Sequence, residues 1–272
     1  MRIHLTIPVH NEERALGKSL GRVVEFLEAR EVEDRRAWET AGLDPKGFFW
    51  EAVIAENGST DRTWEVVQQE VGRWKGAAPH VEVKGMRREQ PGRGGALQEA
   101  WLGTEADIVS YMDVDLSSDL RDYPRLLAPL VRDEADLVVG SRLAPGAEVQ
   151  RGWKREVLSR GYSVLVRIML RFPVRDAQCG FKAMKAAAAQ AVLPEVEDRG
   201  WFWDTELLWV AERKGFRVRE IPIRWVEDRD SRVRLLPTIW GDVRGLWRLW
   251  RRGRRSGAVS LPQRRGIGSV KR

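Results

Sequence analysis

The sequence predicts an α/β fold: a mostly parallel sheet with helices on both faces, followed by an amphipathic helix near the C-terminus. Two observations carry this expectation. Short apolar runs alternate with segments of helical periodicity through the first half of the chain. The acidic, glycine-rich and cap-forming segments fall just after those runs, where a parallel sheet presents its ligand-binding edge. Alternation of this kind needs crossover helices, and these cover both faces of the sheet.

The elements follow in order. Ile3-His-Leu-Thr-Ile reads as a strand ended by Pro8, and Asn11-Glu-Glu opens a helix. Over residues 15–30, Leu16, Leu20, Val23, Val24 and Leu27 recur at helical spacing. Residues 48–55 form a second strand, and Asn57-Gly-Ser-Thr-Asp supplies turn and cap chemistry before a helix at 63–74. Val81-Glu-Val is a third strand, Gly92-Arg-Gly-Gly a loop, and 96–103 a helix. Fourth and fifth strands lie at 108–112 and 137–140, with another helix between them. Beyond Gly146 the alternation weakens. A basic helix-like stretch at 151–171 leads to Asp176-Ala-Gln-Cys-Gly-Phe-Lys, an Ala-rich helix at 183–192, Trp201-Phe-Trp-Asp-Thr-Glu, and a strand at 218–225.

A chain of 272 residues can bury one large core or two small ones, and 43% hydrophobic with 32% charged residues points to a folded soluble body. Cys179 has no intrachain partner, which fits a reducing, cytoplasmic compartment. The three histidines are too scattered for the usual zinc site. No run approaches ~18 apolar residues, so no transmembrane helix is expected; the N-terminus does not read as a signal peptide. Charge is divided unevenly. Residues 232–272 hold twelve Lys/Arg against the single acid Asp242, whereas the preceding 231 hold 35 basic against 39 acidic residues. A mildly acidic body with a strongly basic tail suggests an anionic partner for the tail.

The sharpest chemical signal is Asp113-Val114-Asp115, directly after the fourth strand. Two carboxylates at one strand end can reach a single hard cation, which can bridge two phosphates and neutralise a diphosphate leaving group. Two aspartates can also simply end a strand and cap the next helix. Their company decides between these readings: Ile7-Pro-Val-His-Asn-Glu-Glu, Glu56-Asn-Gly-Ser-Thr-Asp, Gly92-Arg-Gly-Gly, Val139-Gly-Ser-Arg and Asp176-Ala-Gln-Cys-Gly-Phe-Lys occur with it in order.

This series resembles the family 2 glycosyltransferases, specifically the polyprenyl-phosphate (dolichyl-phosphate) sugar synthases, over roughly residues 1 to 235. The resemblance implies a Rossmann-like GT-A fold, inverting transfer, and Mg²⁺ or Mn²⁺ held by Asp113 and Asp115. It places Pro8, His10 and Glu12 in the first donor-binding loop, and Ala55, Glu56 and Asn57 at the nucleotide base. Arg93 falls near the diphosphate, Ser117 beside the donor, and Arg142 on the phosphates, where a bidentate fork suits the task. Gln178, Gly180 and Lys182 match a segment bordering the active site; Cys179 within it reads as a packed residue, not a nucleophile. Asp204 and Glu206 stand where relatives with hydroxyl acceptors keep a general base. The alternative is that one caps a helix and the other is solvated.

A phosphate acceptor needs no base, because its oxygen is already ionised at neutral pH. On that reading Arg142, Lys182 and Arg232 surround the reacting centre, with Arg155 contributing, and Asp204→Asn costs little. The spacing W-x-E-x-x-x-S-[KR], from Trp225 through Glu227 and Ser231 to Arg232, looks like dolichyl-phosphate glucosyltransferases and favours UDP-glucose over GDP-mannose.

From Leu236, apolar residues at 236, 239, 240, 243, 246, 247, 249 and 250 form one helical stripe carrying Trp240, Trp247 and Trp250, with arginines beside it. Tryptophan and arginine on an amphipathic helix suit an anionic bilayer interface; packing on the catalytic body is the alternative. The expected division is a catalytic domain at 1–231, a basic membrane-interface helix at 232–255, and a disordered basic tail at 256–272. The expected partners are a nucleotide-sugar and polyprenyl phosphate at the cytoplasmic face of a membrane. Transfer to a hydroxyl, with Asp204 or Glu206 as base, is the alternative chemistry. Nucleic-acid binding by the tail would leave the D-x-D series unexplained, and no nucleic-acid motif accompanies it.

Overall fold

Strand β1 (Arg2–Val9) is buried from Ile3 to Val9, and a strand covered on both faces belongs in the middle of a helix-layered sheet. The computed structural model, which describes residues 1–171, 173–227 and 235–255, places it there. β2 (Phe49–Asn57) runs parallel to it on one side and β4 (Ile108–Met112) on the other. β3 (Val81–Arg88) extends the sheet beyond β2. The full order is β3-β2-β1-β4-β7-β5-β8, with β5 at Leu137–Ser141, β7 at Phe181–Lys185 and β8 at Val218–Pro222. The helices between these strands are α1 (Leu16–Leu27), α2 (Val32–Thr40), α3 (Thr63–Trp74), α4 (Arg93–Leu102), α5 (Tyr123–Val131), α6 (Trp153–Leu170), α7 (Ala186–Val192) and α8 (Trp203–Arg213).

The topology positions the site. The chain leaves β1 for β2 on one side and reaches β4 on the other, so a crevice opens at the carboxyl ends of β1 and β4. β7 is antiparallel to both β4 and β5. Its first residue, Phe181, therefore pairs with the last residue of β4, Met112. That reversal brings the start of Gly180-Phe-Lys against the start of Asp113-Val-Asp. A parallel strand would have put its far end there instead.

Several boundaries differ from expectation for physical reasons. The glycines at 94 and 95 lie inside α4, not in a loop. A Cβ on Gly94 would come within 2.4 Å of the Trp203 Cβ, so the glycine allows α4 to press against the start of α8. Helix α2 has a mostly polar surface and little apolar periodicity; it is anchored by Trp38, packed among Phe26, Trp50 and Tyr123, and by buried Asp34, which accepts two bonds from Arg22 of α1. Ala183 belongs to β7, and the helix begins only at Ala186. The strand expected at 218–225 breaks after Pro222. β9 (Arg224–Val226) pairs instead with β6 (Glu148–Gln150) in a separate two-stranded sheet.

Helix α9 (Leu235–Arg255) divides the stripe read from the sequence. Leu246 and Leu249 are buried, and Gly245 abuts the Phe202 ring, where a Cβ would sit 2.3 Å from a ring carbon. Arg248 and Arg252 bond Glu206 and Glu195 of the body at 2.6 and 2.7 Å. Trp240, Val243 and Trp247 occupy the other side, with the tryptophans 68% and 54% exposed. The helix thus packs on the body through one face and leaves a second apolar face open. α6 packs beside it and exposes Val164, Leu165 and Ile168. No helix among the described residues is long and apolar enough to cross a membrane. The expected disordered tail at 256–272, and the boundary near 231, lie outside the described residues.

Candidate active site

The ends of β1 and β2 are tied together before any substrate is considered. The Asn57 side chain donates to the Val9 carbonyl at 2.8 Å and accepts from the Gly92 amide at 3.1 Å. The His10 ring donates through Nδ1 to the Asn57 carbonyl at 2.8 Å. Glu56 accepts from the Ser59 amide and pairs with Arg87, and the Glu12 amide donates to Thr63 Oγ1. Pro8 and Ala55 face each other in register between the two strands. Asn57, expected at the nucleotide base, is buried and braces β1, β2 and the α4 N-terminus. His10 remains exposed at the crevice mouth.

Behind the D-x-D lies a buried charge cluster. Arg93, the first residue of α4, donates from Nε and Nη2 to Asp113 Oδ1 at 3.1 and 2.8 Å. Its Nη1 donates to Asp204 Oδ2 at 2.6 Å. The guanidinium lies over the Tyr111 and Trp201 rings, 4.8 and 5.1 Å from their centroids. Lys182 donates to Asp204 Oδ1, the Cys179 carbonyl and the Tyr111 hydroxyl at 2.7, 2.6 and 3.2 Å. All three of its protons are thereby used.

This arrangement corrects two expectations. Lys182 is fully buried behind the site and cannot serve as an open cation for phosphate. Asp204 is buried too; burial alone would raise its pKa, but Lys182 and Arg93 outweigh that and hold it below the ordinary carboxylate range. It is a poor proton acceptor. Glu206, two residues on, faces away: it accepts from the Asp198 amide and from Arg248 of α9. Successive even positions on a helix point in widely different directions, so the two acids do not share a site. Gln178 likewise turns to α9, donating to Asp242 at 2.8 Å. Burial pushes the Cys179 thiol up to about 12, which leaves it inert at neutral pH.

Arg142 forms a bidentate pair with Asp176 at 2.7 and 2.8 Å and stacks against Trp225. It is partly exposed, so it reaches the crevice already paired. Asp113, with its side chain 40% exposed, stands at the solvent edge of the cluster with Oδ1 on Arg93, and Asp115 beyond it is exposed. Asp115 accepts from the Ser117 amide at 2.9 Å, and the Ser117 carbonyl accepts from the Val226 amide, linking the D-x-D turn to β9. Val114 between the aspartates is buried. A cleft of about 460 Å³ opens beside this turn, lined by Leu116, Ser117, Leu120, Arg121, Arg224 and Val226 among others. Arg232 lies outside the described residues, as does the side chain of Arg155.

A divalent metal fits this donor set. No group of three or more His, Cys, Asp or Glu gathers among the described residues; Asp113 and Asp115 are the two carboxylates that follow β4. Mg²⁺ and Mn²⁺ sites for nucleotides are completed by phosphate oxygens and water, and need no full protein cage. Asp113 is also cradled: a Cβ on Gly180 would fall 1.7 Å from its Oδ2. Sequence reasoning missed Tyr111 and Trp201. Tyr111 sits two residues before Asp113 in the β4 register, and that spacing was the available signal.

The sequence profile of glycosyl transferase family 2 matches residues 5–193. Glycosyltransferase AglD of Haloferax volcanii is 35% identical over 251 residues, covering 92% of this chain but only 37% of that protein. The dolichyl-phosphate beta-glucosyltransferase of Drosophila melanogaster is 29% identical over 242 residues, covering 86% of this chain and 69% of the relative. Among solved structures, glucosyl-3-phosphoglycerate synthase from Mycobacterium tuberculosis, in complex with Mn²⁺, UDP and phosphoglyceric acid, superposes with a TM-score of 0.60 at 19% identity. That match covers 97% of this chain and 80% of the other, and it is a likeness of fold.

Proposed function

Because the chain belongs to glycosyltransferase family 2 and has the GT-A fold, we propose that it transfers a hexose from a nucleotide-sugar, UDP-glucose in preference to GDP-mannose, to a polyprenyl phosphate. The observation that carries the acceptor is the state of Asp204. The acid standing where a hydroxyl-activating base would be is locked between Arg93 and Lys182. An acceptor that is already an anion needs no proton removed. Relatives carrying the name dolichyl-phosphate beta-glucosyltransferase, from Drosophila, yeast and human, support the same acceptor class and the glucosyl donor.

The residues divide the work. Asp113 and Asp115 would hold Mg²⁺ or Mn²⁺, which when bound neutralises the leaving diphosphate. The His10–Glu12 loop and the β2 end form the wall against which a nucleotide would rest. Arg142 brings positive charge to the opposite wall, and much of the rate comes from positioning and charge neutralisation. Membrane action is supported by the open apolar face of α9 and α6, with Arg244, Arg251 and Arg254 exposed alongside it. Each cation near an anionic leaflet contributes about 1 kcal/mol. A basic, tryptophan-bearing face and a single cysteine together favour the cytoplasmic leaflet.

The test is a panel of UDP- and GDP-sugars against a short polyprenyl phosphate and the matching polyprenol, with Mg²⁺ or Mn²⁺. Lipid-phosphate product with UDP-glucose is expected. Product on the free alcohol, with none on the phosphate, would sink the acceptor assignment and restore the general-base chemistry.

A further inference from the structure

Asp113 has one carboxylate and two claimants. Its Oδ1 accepts both bonds of the Arg93 fork, and the same side chain is half of the pair expected to hold a divalent cation. A guanidinium and a divalent cation repel, and in a partly buried site solvent screens that repulsion only weakly. Arg93 is not free to drift away. Nη1 is fastened to Asp204, and the plane is held over Tyr111 and Trp201. Asp204 is fastened in turn by Lys182.

Arg93 and Lys182 balance Asp113 and Asp204, so that with Asp115 the set carries one net negative charge. A divalent cation arriving alone would leave the cluster with excess positive charge beside a guanidinium. A cation arriving with a diphosphate leaves no such excess, and the phosphate oxygens give Arg93 new acceptors of the kind its fork prefers. Resting on the reading of the D-x-D as a metal and diphosphate site, we propose that Arg93 makes metal binding depend on the donor. Its guanidinium holds Asp113 while the nucleotide is absent, and releases that carboxylate when the diphosphate arrives. Asp204 and Lys182 are positioning residues that keep the guanidinium within reach of both partners.

The experiment measures Mn²⁺ affinity of the full chain by electron paramagnetic resonance, with and without UDP. Wild type binds Mn²⁺ weakly alone and about tenfold or more tightly with UDP, the usual size of a coupling between sites. Arg93→Gln removes the charge, so its donor-free Mn²⁺ affinity rises by about tenfold and the gain from UDP shrinks correspondingly. Arg93→Lys keeps the charge and leaves donor-free affinity weak. Should Arg93→Gln fail to fold, the Nε–H resonance of Arg93 in wild type serves instead: Mg²⁺ alone leaves it in place, and Mg²⁺ with UDP shifts it. The proposal is overturned if Arg93→Gln binds donor-free Mn²⁺ no better than wild type, or if Mg²⁺ alone moves the resonance. A wild type that binds no Mn²⁺ even with UDP would overturn the underlying metal-site reading instead.

Discussion

Arg93 and Asp204 stand 111 residues apart in the chain, yet Nη1 of the first donates to Oδ2 of the second at 2.6 Å. The contact joins the first turn of α4 to the first turn of α8, and it changes what Asp204 is for. With Lys182 on its other oxygen, the carboxylate is a buried counter-ion.

Asp204→Asn should therefore cost more than the modest effect expected from sequence alone. Removing one member of a buried ion pair typically costs about 3–5 kcal/mol, because the partners stay buried without compensation. The pKa of Asp204 is depressed in the folded protein. Its contribution is thus present above the unfolded carboxylate pKa and is lost as pH falls through the lower folded value. Urea melts at neutral pH should show a large destabilisation of the variant, and melts in strong acid a much smaller one. Equal losses at both pH values would refute the ion-pair role.

Asp115→Ala tests the metal site separately. Asp115 is exposed in the turn after β4, so its removal deletes the proposed oxygen ligand and no core contact. Transfer should fall by at least about a hundredfold, as for loss of other electrostatic groups at a reacting centre, with an unchanged melting temperature. EDTA should have the same effect on the wild type, reversed by Mg²⁺ or Mn²⁺. Full activity in EDTA would remove the metal from the chemistry.

The sheet and the motif order were legible because both are local. Apolar runs and turn residues sit where the strands end, and the D-x-D follows its strand directly. What could not be read was direction. Nothing in Phe181-Lys-Ala-Met-Lys reports that β7 runs antiparallel, and that reversal is what puts Gly180 against Asp113. Lys182 and Arg142 looked equivalent as cations near phosphate; burial separates them, one wholly enclosed and one at the crevice. The i, i+2 spacing of Asp204 and Glu206 sends them apart once α8 forms, but it carried no hint of which faces the D-x-D cluster and which faces α9. Helix α9 misled in another way. Its apolar stripe was read as one surface, although buried Leu246 and Leu249 and exposed Trp240 and Trp247 serve different neighbours.

That division gives a cleaner membrane experiment than truncation of the tail, which would also strip the packed side of α9 from Phe202 and Glu206. Trp240→Ala with Trp247→Ala should weaken binding to anionic vesicles severalfold while leaving thermal stability unchanged, since both indoles are largely exposed. Leu246→Ala should do the reverse, destabilising by about 2–5 kcal/mol as a buried leucine does, with vesicle binding kept at temperatures where the fold persists. Flotation of the double tryptophan variant as complete as that of wild type would remove α9 from the membrane surface.

Gly180→Ala isolates the juxtaposition that β7 creates. A Cβ at position 180 would lie 1.7 Å from Asp113 Oδ2, far inside any permitted contact. The same Cβ would lie 2.5 Å from Asp113 Cγ, so the whole carboxylate must turn aside and loosen its bonds to Arg93. Gly180 needs no left-handed conformation, since its φ lies outside the positive range, and alanine meets no backbone strain there. The expected result is a folded protein, destabilised by about 1–3 kcal/mol as for an overpacked site, whose Asp113 no longer faces the metal position. Mn²⁺ binding in the presence of UDP should drop at least about tenfold, the lower range of what loss of a supporting contact costs a metal site. Transfer should drop with it, and excess Mn²⁺ should recover part of the rate. An alanine variant with unaltered Mn²⁺ affinity would mean that Gly180 does not set the Asp113 carboxylate, and that the β4–β7 reversal matters to the fold alone.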